Sequence, residues 1–177
     1  AEDFQKKYGF AKAYGSYEEL LADPEVEAVY IPLPNTLHYE WTIKALQSKK
    51  HVLCEKPIAP TAKHAQEMFE TADENQVCLM EAFAYQHSPY IAALKSEIEK
   101  GIIGEIRYME SAYITSDYDL KNIRMRKETL GGSTYDLGVY NTSLIQRIFD
   151  KEPAGIQAVS TFSEEGIDTY TSVLMEY

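Results

Sequence analysis

The sequence predicts a parallel, doubly wound α/β sheet followed by an α+β region, and three observations carry that prediction. Short apolar runs at residues 28–32, 51–55 and 77–80 alternate with helical patterns that bring their own N-caps. After about Phe83 the alternation stops, and two last strand-like runs, 155–162 and 168–177, follow each other without a helix between them. Hydrophobic residues make up 45% of the 177 residues and charged residues 25%, the balance of a globular chain with a real core.

The elements follow in order. Phe4 and Tyr8 fall at i, i+4 in an opening helix that Gly9 closes. Ser16, with Glu19 three residues on, begins a short helix that Asp23-Pro24 stops. Ala28 to Pro32 reads as a strand apolar on both faces. Asn35 or Thr36 caps the next helix, whose Leu37, Trp41, Ala45 and Leu46 recur at helical spacing. His51 to Glu55 is a second buried strand, ended by Lys56-Pro57, and Thr61 caps a helix with Ala65, Met68, Phe69 and Ala72 on one side. Val77 to Met80 is a third strand. Ser88-Pro89 starts a helix that runs to Lys100 and closes at Gly101, and Glu105 to Thr115 reads as a long strand. A polar stretch to Lys127, then Gly131-Gly132, precede a helix from about Ser133 to Phe149. The change of rhythm places a domain boundary near residue 83, giving units 1–83 and 84–177.

Charge and cysteine content narrow the function. The net charge is −11, with a pI near 4.8. Nucleic-acid binding needs clustered Lys and Arg, so that partner is not expected. No apolar run is long enough for a bilayer and the first residues lack a signal-peptide core, so neither a membrane nor a secretory route is expected. Two cysteines, Cys54 and Cys78, make neither a disulfide framework nor a zinc site, which points to a reducing cytoplasmic setting. No histidine pair has metal-ligand spacing and no G-x-S-x-G elbow is present.

Three segments hold residues with chemistry, each with a plainer reading beside it. Lys56 in Cys54-Glu55-Lys56-Pro57 stands at the carboxyl end of a parallel strand, where ligands sit and where an amine can serve proton transfer. The tripeptide alone also reads as a surface lysine beside a strand-breaking proline, whose bond to Lys56 could be trans or cis. Asp136 and Tyr140 fall at i, i+4 of the helix after Gly131-Gly132, where a carboxylate and a phenol share a face. That pair also fits a helix opening with a half-buried tyrosine. Pro32-Leu33-Pro34-Asn35-Thr36-Leu37-His38 leaves a strand and enters a helix, so its amides could meet a ligand; His38 equally fits a solvent-facing first turn.

Taken in order, Tyr17–Ile31, Pro32–His38, Glu55-Lys56-Pro57, Met80-Glu81-Ala82-Phe83, Gly101-Ile102-Ile103-Gly104-Glu105-Ile106 and Gly131–Tyr140 resemble the Gfo/Idh/MocA family of NAD(P)-dependent oxidoreductases over essentially the whole chain. The resemblance implies the C-terminal part of a Rossmann-type domain followed by part of an α+β domain with a largely antiparallel open sheet. It also implies NAD or NADP as cofactor, a sugar, polyol or cyclic diol as substrate, and a homo-oligomer, dimer or tetramer. It assigns Lys56, Asp136 and Tyr140 as catalytic residues. Pro32, Pro34, Asn35, His38, Glu55 and Lys56 fall to the cofactor side, and Asn122, Arg124, Asp136 and Tyr140 to the substrate side. Many members carry histidine where this chain has Tyr140, and the tyrosine is similar to the dihydrodiol dehydrogenase, xylose dehydrogenase and glucose–fructose oxidoreductase branch. There the phenol exchanges the substrate proton, Lys56 lowers its pKa and Asp136 orients the pair, although the roles of Lys56 and Tyr140 could be exchanged. No metal is implied.

The family's G-x-G-x-x-G loop is not in this sequence, which opens without Met on a helix and stops among strand formers. The chain therefore reads as an internal fragment of a longer one. Two alternatives remain at this level: a non-catalytic nucleotide- or sugar-binding member of the same fold, and an inactive truncation.

Overall fold

A computed structural model describes residues 1–116, 119 and 121–177. Two short helices, α1 (Glu2–Tyr8) and α2 (Tyr17–Ala22), lead into β1 (Ala28–Ile31), α3 (Asn35–Gln47), β2 (His51–Cys54), α4 (Ala62–Asn75) and β3 (Leu79–Glu81). The strands form a parallel sheet in the order β1-β2-β3, with Ile31 opposite Cys54 and Cys54 opposite Glu81. A turn of 3₁₀ helix (Ala84–His87) precedes α5 (Pro89–Glu99). A π turn at Thr134–Gly138 continues into α6 (Val139–Phe149), and β4 (Gly155–Phe162) pairs antiparallel with β5 (Asp168–Glu176). The architecture is thus mixed α/β, a parallel sheet unit joined to an antiparallel one.

Local chemistry explains most boundaries. Ser16 Oγ accepts from the Glu19 amide while Glu19 reaches back to the amide of Gly15. Thr61 and Ser88 cap α4 and α5 through the amides of His64 and Tyr90. For α3 the expectation fails: Pro34 is the N-cap and makes no side-chain bond, and Asn35 instead donates to the carbonyl of Leu130, 2.8 Å away. The third strand begins at Leu79, two residues later than expected. The Val77 amide is held by the Ala72 carbonyl at the end of α4 and the Cys78 amide by His51 Nδ1.

The core lies between the sheet and α3 and α4, where Ile31, Val52 and Cys54 meet Ala45, Leu46, Met68 and Ala72. The strands were expected to be apolar and buried on both faces; burial instead alternates along β2, and Tyr30, Leu53 and Met80 are exposed on the other face. Right-handed crossovers stepping one way along a sheet place successive helices on one side, and α3 and α4 both cover that side.

The long strand expected over 105–115 is absent. Residues 105–116 join no ladder with β4 or β5, and Tyr108, Tyr113 and Ile114 are exposed. Strand-forming composition produces a strand only where a neighbour supplies a ladder, and among the described residues none does. Among the described residues no helix is long and apolar enough to cross a membrane, and no cluster of His, Cys, Asp and Glu could hold a metal.

The packing sets a stability test. Met68 is fully buried in the core whereas its neighbour Phe69 is exposed. In urea denaturation, Met68→Ala should lower stability by about 2–5 kcal/mol, and Phe69→Ala by distinctly less. Equal losses would show that α4 presents a different face to the sheet.

Candidate active site

Lys56 leaves the carboxyl end of β2 through a cis bond to Pro57. Two contacts hold the turn: the Ile58 amide donates to Glu81 Oε1 at 2.8 Å, and His38 Nδ1 lies 2.8 Å from the carbonyl of Pro57. Burial pushes the Glu81 carboxyl above its ordinary range, and the Ile58 amide and Lys56 partly offset this. The turn aims the Lys56 side chain into the other unit. Its Nζ donates to Asp136 Oδ1 at 2.9 Å and to the Asp136 carbonyl. It also lies 4.8 Å from the centre of the Tyr140 ring. The Lys56 side chain is only 10% exposed and that of Asp136 22%, so the pair is largely withdrawn from water.

The segment around Gly131-Gly132 supplies the opposite wall. Its glycines do more than open a helix. A Cβ on Gly131 would stand 2.3 Å from the Arg124 carbonyl oxygen, so only glycine permits the approach. The Gly131 amide donates to the Arg126 carbonyl and the Gly132 amide to that of Arg124, each at 2.8 Å. Folded back in this way, Arg124 brings its Nε to 3.0 Å from Asp136 Oδ1, and Asn122 Oδ1 accepts from the Arg124 amide. Asp136 therefore lies between two cations, Lys56 and Arg124.

Tyr140, one turn beyond Asp136, sits among Phe83, Tyr85 and Tyr113, with ring centres 5.5, 6.2 and 5.7 Å from its own. Among the described residues no group hydrogen-bonds its hydroxyl. Burial pushes its pKa above the ordinary phenol value, with Glu55, Tyr113 and Asp136 adding to the rise and Arg124 opposing it. The Lys56 ammonium lies against the face of the ring, where it makes a cation–π contact, and on balance burial keeps the phenol raised.

The structure thus brings Lys56, Asp136, Tyr140, Asn122 and Arg124 into one connected group. The residues expected on the cofactor side divide. Pro32 is exposed at the end of β1 and Pro34 half-buried, while Glu55, beside Lys56, accepts from Tyr30, whose phenol it raises to about 12. Asn35 is engaged with Leu130. His38 is fully buried, neither solvent-facing nor open to a ligand, with Nε2 2.7 Å from the Leu33 carbonyl and Nδ1 facing Pro57; it ties the loop to the turn. Phe83, Tyr85 and Tyr113 received no site role from the sequence. Phe83 stands in the Met80–Phe83 motif, but Tyr113 lies in the extended run 105–116, where no periodicity marks it.

Dinucleotide binding fits the carboxyl edge of β1 and β2, where exposed Pro32 and half-buried Glu55 and Lys56 stand next to a phenol that no described residue bonds. Two of the three Lys56 N–H donors go to Asp136 and one remains for a ligand. Cys54 has no part in this chemistry: burial pushes its thiol up to about 12.

Comparison with known proteins bears on the family and the fold. Residues 1–83 match the model of an oxidoreductase family with an NAD-binding Rossmann fold, and residues 91–177 match the GFO/IDH/MocA C-terminal domain. The mouse trans-1,2-dihydrobenzene-1,2-diol dehydrogenase is 37% identical over 180 residues, covering 100% of this chain and 53% of its own. D-xylose 1-dehydrogenase (NADP(+)) 2 of Haloferax volcanii is 36% identical over 176 residues, covering 96% of this chain and 52% of its own. Among solved structures, the 3-ketoreductase KijD10 of Actinomadura kijaniata, in complex with NADP and TDP-benzene, superposes with a TM-score of 0.88 at 30% identity, covering 99% of this chain and 54% of its own. The chain spans about half the length of the curated relatives it matches.

The thiols offer a direct check on the geometry. At pH 8 a colorimetric thiol reagent should titrate Cys78, which is exposed, and leave buried Cys54 untouched until denaturant is added. Two reactive thiols in the native protein would mean that β2 is not packed as described.

Proposed function

Because the chain belongs to the GFO/IDH/MocA oxidoreductase family, we propose that it serves an NAD(P)-dependent oxidation or reduction at a secondary alcohol of a sugar, polyol or cyclic diol. The observation that carries this reading is the Tyr140 phenol, whose hydroxyl no described residue bonds, beside an ammonium that Asp136 fixes in place. The relatives named for diol and xylose oxidation, and the ketoreductase seen with NADP, support the substrate class and the cofactor.

In this mechanism Pro32, Glu55 and Lys56 would hold the nicotinamide end of the cofactor, which would supply the hydride chemistry at the substrate's alcohol carbon. Lys56 donates its remaining N–H to the substrate hydroxyl, and Asp136 keeps the amine from swinging away. Tyr140 takes the hydroxyl proton during oxidation and returns it to the carbonyl oxygen during reduction. The phenol is the better proton carrier of the two, since Lys56 is already committed as a donor to Asp136. Phe83 and Tyr85 pack beside the phenol, and the exposed Tyr113 offers a flat apolar face to a ring substrate.

The dimer or tetramer implied by the family finds support in the outer face of the β4–β5 hairpin, where Val159, Tyr170 and Leu174 are exposed. Sedimentation velocity should show a discrete oligomer that Leu174→Asp dissociates; an unchanged sedimentation coefficient would place the contact elsewhere.

Turnover is the main test. Tyr140→Phe should lower kcat by about 10²–10⁴-fold, and Lys56→Ala should do at least as much. Both variants should retain the far-UV circular dichroism of the wild type and, for Tyr140→Phe, cofactor affinity by NADPH or NADH fluorescence. The phenol pKa is raised, so the proton-accepting phenolate forms only toward alkaline pH. Alcohol oxidation should therefore accelerate with rising pH and ketone reduction slow, and both limbs should vanish in Tyr140→Phe. Near-normal rates in Lys56→Ala would sink the mechanism.

A further inference from the structure

Asp168, the first residue of β5, is remote in sequence from the residues around Lys56, yet its carboxylate closes the segment that carries them. Its Oδ2 accepts from the Thr134 amide at 2.7 Å, the Thr134 hydroxyl at 2.7 Å, the Ser133 hydroxyl at 2.6 Å and the Thr171 hydroxyl at 2.9 Å. Its other oxygen packs against Gly132. There φ is +117° and a Cβ would stand 2.1 Å from Oδ1, so the carboxylate occupies space that only glycine leaves open.

A helix start leaves its first amides unpaired at the positive end of the helix dipole, and the usual remedy is a local Ser, Thr or Asp at the N-cap. Here Ser133 has helical dihedrals and makes no cap, and the acceptor arrives from a residue 34 positions downstream of Thr134. Closing a helix end needs one acceptor. This carboxylate instead binds both the main chain and the side chain of Thr134, which fixes that residue in rotation as well as in position. Burial pushes the Asp168 carboxyl up, but the bonds from Ser133, Thr134 and Thr171 outweigh it and hold the carboxyl below its ordinary value.

Thr134 opens the π turn, a wide and intrinsically poor helical geometry that depends on outside support. Two residues on, Asp136 meets Lys56 with both its carboxylate and its carbonyl. A rotation of the turn would displace both acceptors at once.

We propose that Asp168 is a positioning residue: by locking Thr134 it sets the π turn, and through Asp136 it sets where Lys56 stands relative to Tyr140. It acts on Lys56 only through Asp136. The consequence for turnover rests on the oxidoreductase reading above; the structural consequence does not.

The test compares Asp168→Asn with wild type in two independent measurements. In the first, lysines are reductively methylated and the rate at Lys56 is read by mass spectrometry against Lys63, whose side chain is 83% exposed. The Lys56 to Lys63 ratio should rise several-fold in the variant. In the second, kcat should fall about 10- to 100-fold with KM little changed, the signature of a misplaced reacting group. Thr134→Ser, which keeps both donors, should behave as wild type in both. If Asp168→Asn does not fold, Thr171→Val removes a single donor and should shift both readouts in the same direction by less. A lower melting temperature with an unchanged labelling ratio would reduce Asp168 to a purely structural role and overturn the proposal. If the wild type oxidises no alcohol with either cofactor, the oxidoreductase reading falls, and the labelling ratio still decides the role of Asp168.

Discussion

The ion pair between Lys56 and Asp136 is the constraint on which the rest of the site depends. It joins the parallel-sheet unit to the antiparallel one across 80 residues of sequence, with both partners largely withdrawn from water. An exposed ion pair contributes about 0–1 kcal/mol; removing one partner of a buried pair costs about 3–5 kcal/mol, because a charge is left uncompensated. Lys56–Asp136 lies toward the second case, so it holds the units in one relative placement. Arg124 makes this sustainable by giving the carboxylate a second cation, and two further contacts, Asn35 with Leu130 and Tyr135 with the Pro60 carbonyl, close the same seam.

Around this pair the backbone does much of the positioning. The Pro57 turn is held by Glu81 and His38, so the end of β2 is fixed before Lys56 reaches outward. On the other side, Gly131 admits the Arg124 carbonyl and Gly132 admits the Asp168 carboxylate, each at a distance no other residue would tolerate. Backbone contacts on both sides thus place the two groups with the most chemistry, Lys56 and Tyr140, and Phe83, Tyr85 and Tyr113 pack around the phenol. The Tyr140 phenol is left raised, with no described residue bonding its hydroxyl, the condition expected of a group that waits for a ligand hydroxyl.

Much of the fold was legible. Ser16, Thr61 and Ser88 announce their helices because capping is local chemistry, and the alternation of apolar runs with capped helices gives the parallel sheet because its period is short. Lys56, Asp136 and Tyr140 were nominated through motifs that are weak alone and specific in succession, and the structure brings the three together. The less legible features are non-local. Residues 105–116 have the composition of a strand but no ladder, and their Tyr113 enters the site from an extended segment without periodicity. His38 reads as a ligand-side histidine until its two carbonyl partners are seen, and one of them, on Pro57, lies 19 residues away.

By itself the sequence determined the order and type of most elements, which follow from caps and periodicity, and its succession of motifs resembled the family and nominated the residues of the candidate site. The tertiary structure decided the rest: that Lys56 meets the face of Tyr140 instead of its hydroxyl, that only one face of the parallel sheet is covered, and that Asp168 supports the turn carrying Asp136. Each of these depends on which groups meet across long stretches of chain, and burial and hydrogen-bond geometry at such meetings have no signature in local spacing.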